Sequence, residues 1–351
     1  MAYNFRNLIF EGGGVKGIAY VGALEVMEDR GGLEEITRVG GVSAGAIFST
    51  LAALGYTSFE MKKIVLDLDF TRFLDEDEEM LHEIRGLGRL VKKYGWFSGD
   101  FFQKWIEKLI RHKLGHGRAT FRELERAPGM RSLYVCTTNM NTGYGEVLSA
   151  ENTPDLAIAD AVRSSMSIPL FFASTVNERR DVIVDGGVIN NYPLKLFDRL
   201  KYIEDTECGL SGVETDYYIK ENQAFLKANP KASPYIYNKQ TLGFHLDTPE
   251  PMGVYRDQRQ HRHTEIKSFL DYSRVLIRML MNQMGNKHLH NDDWARSVYI
   301  DTLGIFTTEF GLSTEQKAAL IESGRKGMAT YLDWFDNSES SPRNCPERGI
   351  T

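Results

Sequence analysis

Apolar and polar positions alternate through the first fifty residues in a pattern that occurs twice. Leu8-Ile9-Phe10 is a short apolar run, a glycine-rich stretch follows, and apolar residues then recur at helical spacing from Ile18 to about Asp29. Ile36–Val39 predicts a second strand, Gly41–Gly45 a second tight turn, and Ala46–Ala53 a second helix. Strand, turn, helix, strand, turn, helix predicts an α/β fold built on a mostly parallel sheet. Each strand feeds its turn into a helix N-terminus, so backbone N–H groups point out of both turns.

The pattern continues less regularly. Tyr56–Leu68 predicts a helix. In Trp96–Leu114, Phe101, Phe102, Trp105, Ile106, Leu109 and Ile110 fall on one helical face, with Gln103, Lys104, Lys108, Arg111 and His112 opposite and Ser98 or Asp100 as cap. Such a helix packs on a core or lies on an anionic bilayer; the core reading is preferred, because most amphipathic helices of folded proteins face inward. The segment between Leu68 and Gly117 is expected to cap the site, and Asp75–Glu79 to be a solvated acidic patch. Leu133–Thr138 predicts a buried strand, Asn141-Thr142-Gly143 a turn, and Gly145–Ser149 its hairpin partner. A helix over Pro154–Ser165, ended by the Ile168–Phe172 stretch with its proline, leads through the polar turn Asn177–Arg180 to a strand, Val182–Val184. Leu194–Leu200 starts another helix. In the last third, Ser233–Tyr237 is extended, Thr241–Leu246, Val298–Ile300 and Ile305–Thr307 are strands, and Thr264–Gln283 is a helix. Ser313-Thr314-Glu315-Gln316 forms a capping box that opens a helix to about Trp334. No repeat or linker intervenes, so one elaborated domain is expected over residues 5–335, followed by a polar tail, 336–351.

Composition narrows the class. At 42% hydrophobic and 26% charged residues the chain reads as an ordinary globular protein, and its net charge of −6 argues against nucleic acid as a partner. Cys136, Cys208 and Cys345 are unclustered, which suggests a reducing compartment and no zinc site. No secretory signal and no run of membrane-spanning length is visible, so a cytoplasmic location is expected, and any lipid would be met from the water side.

The two turns carry the candidate chemistry. Gly12-Gly13-Gly14-Val15-Lys16-Gly17 offers amide donors to an anion, and Gly41-Val42-Ser43-Ala44-Gly45 places a serine on a sharp strand-to-helix bend. With 32 glycines, G-x-S-x-G alone is expected by chance in roughly one such chain in six, whereas the first motif is expected in about a few per thousand. A third landmark is Val182-Ile183-Val184-Asp185-Gly186-Gly187: a carboxylate at a strand end, where α/β sheets build their sites, or a turn aspartate capping its own backbone.

The three motifs in order closely resemble the patatin-like phospholipase family. Ala161–Pro169, Thr241–Phe244 and Leu312–Gln316 resemble further family segments, with the likeness strong over Phe5–Leu200 and looser to Phe335. Glu11 stands where the family often has aspartate, and Lys16 where arginine is commoner. The resemblance implies a three-layer α/β/α fold with a helical cap and C-terminal helices, its catalytic core in residues 5–200. It implies a lipid acyl hydrolase of phospholipase A or lysophospholipase type, acting through a Ser43–Asp185 dyad without histidine. Gly12, Gly13, Gly14 and Ala44 would form the oxyanion hole, supported by Lys16, Gly17, Gly41, Gly45, Gly186 and Gly187. It implies no cofactor and no metal, a phospholipid or lysophospholipid substrate met by peripheral membrane contact, and room for an activator. A solvated aspartate is a weak base, so Asp185 is expected to be buried.

Two rival readings use the same residues. Gly12, Gly14 and Gly17 spell a dinucleotide fingerprint with Glu34 and Glu35 about 20 residues on, but Lys16 lies inside the loop and the acidic pair precedes the second strand. A Ser43–Asp185–histidine triad of a general carboxylesterase is allowed by order, since His245, His261 and His263 follow Asp185. None of these sits in a catalytic motif. The His261-x-His263 and His288-x-His290 pairs, with Asp292 and Asp293, are metal-like only in composition, and surface histidines are expected.

Overall fold

The computed structural model describes residues 3–74, 88–203, 211–247 and 289–337, with short pieces between 265 and 279. The strands are β1 (Asn7–Phe10), β2 (Arg38–Val42), β3 (Gly95–Phe97), β4 (Ser132–Asn139), β5 (Tyr144–Ser149), β6 (Leu170–Phe172), β7 (Thr175–Val176), β8 (Val182–Asp185), β9 (Gly212–Val213), β10 (Tyr237–Asn238), β11 (Thr241–Asp247) and β12 (Ser297–Asp301). The helices are α1 (Ala19–Asp29), α2 (Ala44–Ala53), α3 (Ser58–Asp67), α4 (Asp100–Leu114), α5 (Phe121–Arg126), α6 (Ile158–Ser165), α7 (Asp216–Ala228) and α8 (Thr314–Asp336). Among the described residues the central sheet runs β12-β11-β1-β2-β4-β8-β7, with β5 also on β4. The first five are parallel; β5, β7 and β8 are antiparallel.

The two faces differ in depth. Leu8, Phe10, Val39, Val135 and Phe244 join one continuous apolar cluster with α1, α2, α6 and α8. On the other face the rung through Ile9 carries Gly40 and Gly243. Leu196 lies on the first and Tyr192 with Leu194 on the second, where any Cβ would collide with them. This explains a failed expectation: Leu194–Leu200 is two short 3-10 turns, Leu194–Phe197 and Leu200–Tyr202, lying flat on the glycine-lined sheet. Helix α7 covers this side beyond them, its Tyr218 hydroxyl donating to Asp198 at 2.5 Å.

Other boundaries shift for local reasons. Strand β2 begins later than expected and runs through Gly40 and Gly41 to Val42, because its glycines pair as readily as the valines. Helix α6 begins at Ile158 rather than Pro154, since Ala157 is extended and bridges Thr120. Gly99, not Ser98 or Asp100, caps α4; it adopts a left-handed conformation and the Ser98 hydroxyl accepts the Asp100 N–H instead. Phe102, Ile106 and Ile110 of α4 are buried, as the core reading required, and Gln103 reaches Asp160 of α6 at 2.7 Å. Ile305–Thr307 is not a strand: left-handed Leu303 and Gly304 turn the chain so that the Thr307 carbonyl accepts the Val15 N–H. The Ser313 capping box and its helix are present. The acidic patch Asp75–Glu79, most of the helix expected over Thr264–Gln283, and the tail beyond 337 lie outside the described residues.

One buried ionic cluster ties the C-terminal third to the sheet. The fully buried Arg296 guanidinium donates to Asp198 at 2.5 and 2.7 Å, to Asp293 at 2.7 Å and to the Asn238 carbonyl at 3.1 Å. The Tyr237 ring lies 4.0 Å from it. Removing the cation leaves two carboxylates buried against each other. Arg296→Met should therefore destabilise the fold by about 3–5 kcal/mol, measured by urea denaturation.

Candidate active site

Two ladders share one edge of β4. β2 pairs along Ser132–Cys136, and β8 pairs along Thr137–Asn139. β5 occupies the opposite edge over Tyr134–Asn139, so β2 and β8 lie end to end. Ser43 follows the last residue of β2 and Asp185 ends β8. Both arrive at the Cys136–Thr137 junction.

Ser43 is fully buried at φ 54°, ψ −126°, a costly region for a residue with a Cβ. The G-x-S-x-G spacing makes the bend possible: a Cβ on Gly41 would stand 2.4 Å from the Gly45 carbonyl. Ser43 opens α2, whose positive dipole end faces the turn. Ser165, the last residue of α6, holds the bend. Its hydroxyl accepts the Ser43 N–H at 2.9 Å and donates to the Cys136 carbonyl at 2.7 Å, a hydroxyl-bridged rung where the ladder ends. Met166 Sδ lies 3.8 Å from Ser43 Oγ.

Asp185 is 1% exposed. Its Oδ1 accepts the Gly187 N–H at 2.7 Å, the capping bond expected of a turn aspartate. Its Oδ2 is buried and accepts no hydrogen bond of regular geometry, although the Ser43 hydroxyl is close enough to draw the carboxyl's pKa down. Burial outweighs both contacts and pushes the pKa up to about 7. Gly186 lets β8 turn against the Cys136 carbonyl, which a Cβ would approach to 2.6 Å.

The glycine turn folds over the same point. A Cβ on Gly12 would stand 3.2 Å from Ser43 Cβ. Gly14 has φ +56°, and a Cβ there would meet the Thr307 carbonyl at 1.9 Å, so only glycine fits. The Gly12 N–H donates to the Asn191 carbonyl at 2.9 Å, which removes it from the four amides expected to face an oxyanion. Among the described residues, the amides of Gly13, Gly14 and Ala44 have no recorded acceptor. The Lys16 amide donates to Gly13, and its buried side chain runs along that residue. Gly17 packs on Ala44 and Phe48.

Several contributors carried no readable signal. Glu11 is buried and its carboxylate accepts the Leu246 N–H at 2.7 Å, lies 2.8 Å from His245 Nδ1, and takes Asn191 Nδ2 at 3.2 Å. It pins the glycine turn to β11 and to the turn after Asp185. Ser165 and Met166 lie inside a segment noted only for its resemblance. His245, allowed by order as a triad histidine, is 4% exposed, between the rings of Tyr192 and Tyr299. It sits on β11, two strands from β2 and on the side away from β8, roughly 10 Å from the Ser43 strand. His290 stacks on Tyr217; His261, His263 and His288 lie outside the described residues. Glu35 pairs with Arg6, and Glu34 is exposed ahead of β2.

A strained serine, a carboxyl whose pKa burial raises to about 7 and two helix-opening turns thus converge at one end of an α/β sheet. Residues 8–198 match the patatin-like phospholipase family, and the chain belongs to it. The uncharacterized protein YqhO of Bacillus subtilis (strain 168) is 27% identical over 335 residues, covering 92% of this chain and 97% of that one. Uncharacterized protein R571 of Acanthamoeba polyphaga mimivirus is 33% identical over 194 residues, 55% of this chain and 61% of that one. The probable lipid hydrolase 463L of Invertebrate iridescent virus 6 is 27% identical over 192 residues, 55% of this chain and 63% of that one. The crystal structure of VipD from Legionella pneumophila shares the fold at a TM-score of 0.53 and 19% identity, over 95% of this chain and 67% of that one. No described helix is long and apolar enough to cross a membrane.

The Asp185 environment predicts a pH-dependent stability. The folded chain keeps this proton up to about pH 7, while the unfolded chain releases it near pH 4, so the folded state binds more protons in between. The group's contribution to stability therefore falls as pH rises through that window. Asp185→Asn, which does not ionise, should gain on wild type from pH 4 to pH 7 by about 2–4 kcal/mol. Urea denaturation of both proteins at either end of the window measures this; an unchanged gap would mean the carboxyl is not desolvated.

Proposed function

We propose that the chain hydrolyses fatty-acyl esters of phospholipids or lysophospholipids through an acyl-enzyme on Ser43, with Asp185 as the base. The observation that carries this reading is the junction on β4, where a buried carboxyl with a pKa of about 7 meets a strained serine. Such a carboxylate is a far better base than one near pKa 4, yet still ionised in good part at neutral pH. Ser43 Oγ bonds to the ester carbonyl carbon as its proton passes to Asp185. The carbonyl oxygen becomes an oxyanion, received by the amides of Gly13, Gly14 and Ala44 and by the α2 dipole. Collapse breaks the bond to the alcohol, which takes the proton from Asp185. Water then attacks the acyl carbon, gives its proton to Asp185, and Ser43 leaves with it. Every step is accounted for by groups of this chain.

Ser165 serves as a positioning residue in this scheme: it holds the Ser43 amide and so the direction of Oγ. Family membership supports the lipid substrate, as does the description of one viral relative as a probable lipid hydrolase. Among the described residues no histidine stands at the junction for the triad reading, and the dinucleotide reading lacks an acidic residue at the end of β2. Residues 5–335 would work as one unit, since α8 packs on α1 and on β12.

Acyl release from mixed phospholipid vesicles, with chelator present, tests the scheme. Ser43→Ala and Asp185→Asn should each lower it about a thousandfold or more, while His245→Ala retains far more activity than either. The wild-type rate should rise with pH through about 7 as Asp185 loses its proton. Release that survives in Ser43→Ala would sink the mechanism. Ser165→Ala should lower kcat by about 10–100-fold with little change in KM, because a misdirected nucleophile binds substrate as before.

A further inference from the structure

Two turns project beyond the junction at the end of the sheet where Ser43 and Asp185 meet. The first, after β4, carries Met140; the second joins β7 to β8. They are bound side by side: the Met140 N–H donates to the Val182 carbonyl at 2.9 Å, and Asn141 Oδ1 accepts the Val182 N–H at 2.8 Å. Val176 pairs with Val182 from the other edge. Met140, Val182 and Val176 thus form one rung, and side chains of one rung share a face. Met140 and Val176 are 53% and 67% exposed. Apolar side chains left in water together on one rung mark a candidate contact surface.

The same surface is cationic. Arg179 and Arg180 are exposed at the tip of the second turn. Lys92 and Lys93 stand beside it, because the Lys93 carbonyl accepts the Ser174 N–H at 2.9 Å. Of the neighbouring carboxylates, Glu146 and Asp181 accept hydrogen bonds from Asn139, and Glu178 projects from the tip. Four cations thus outnumber three carboxylates here, in a chain whose net charge is −6. Apolar side chains ringed by cations match a bilayer with anionic headgroups: the first enter the headgroup layer, the second meet its charge. Met140 is four residue steps beyond Cys136, about 13 Å along the strand, so a bilayer resting on this rung faces the end of the sheet where Ser43 and Asp185 meet.

We infer that Met140, Val176 and the Arg179–Arg180 turn form the surface by which the chain docks on an anionic bilayer. Its purpose rests on the lipid-hydrolase reading; its test does not. The full chain is sedimented with phosphatidylcholine vesicles, with and without phosphatidylserine. Wild type should bind the anionic vesicles more tightly, and Ser43→Ala should bind as wild type does. Arg179→Glu with Arg180→Glu should lose roughly tenfold or more in affinity for the anionic vesicles. Met140→Ser with Val176→Ser should weaken binding to both. Met140→Trp should bind more tightly; melting temperatures confirm that every variant folds, and sedimentation without vesicles that none aggregates. Wild type that binds neither vesicle, or charge reversal that leaves binding unchanged, overturns the proposal and leaves the patch to a protein partner. Normal vesicle binding without acyl release would sink the hydrolase reading and leave the docking surface standing.

Discussion

A strand has two edges, and β4 has three partners. That constraint organises the candidate site. With β5 along one edge, β2 and β8 divide the other, and their ends are forced together at Cys136–Thr137. One is the parallel strand that ends in Ser43; the other runs the opposite way and ends in Asp185. A fully parallel sheet would place both ends in separate columns. The reversal of direction at β8 puts a serine and a carboxylate head to head, and the Ser165 hydroxyl fills the rung that neither ladder completes.

The junction is held against two local penalties. Ser43 occupies backbone space that suits glycine, and Asp185 is taken out of water with one oxygen unsatisfied. Neither persists on its own preference; the surrounding packing over-determines both. The α1–α2–α8 side of the sheet supplies much of that packing, with Phe10, Phe244 and Tyr20 stacked behind the glycine turn. Glu11 adds a polar pin. Its carboxylate joins three segments that are distant in sequence, and its backbone carbonyl accepts the Tyr20 hydroxyl at 2.7 Å. The longer side chain, compared with the aspartate commoner at this position, is what spans from β1 to the end of β11.

The far face of the sheet follows a different logic. Glycines at 40 and 243 remove side chains where Tyr192 and Leu196 must lie, so the chain after the site hugs the sheet and crosses to the Arg296 cluster. There Asp198, Asn238 and Asp293 meet one guanidinium. The route that carries Asn191 back to the glycine turn is therefore fixed at both ends, by the site and by a buried cation.

By itself the sequence determined the α/β class, the two strand–turn–helix units, the capped C-terminal helix and the residue types at the site. These rest on short-range signals: period, turn glycines and caps act within a few residues of one another. It also singled out Ser43 and Asp185, because a serine elbow and a strand-end aspartate have local signatures. What it left open was long-range. Only the tertiary structure decided that β8 runs antiparallel on the edge that β2 vacates, since pairing partners 44 to 48 residues apart, and 94 apart for β2 on β4, leave no local mark. It alone decided that Gly12's amide is taken by Asn191, that His245 belongs to Glu11, and that Ser165 bridges the ladder. A buried polar group is satisfied by whichever atom the fold brings within reach, and reach is not written in the neighbouring residues.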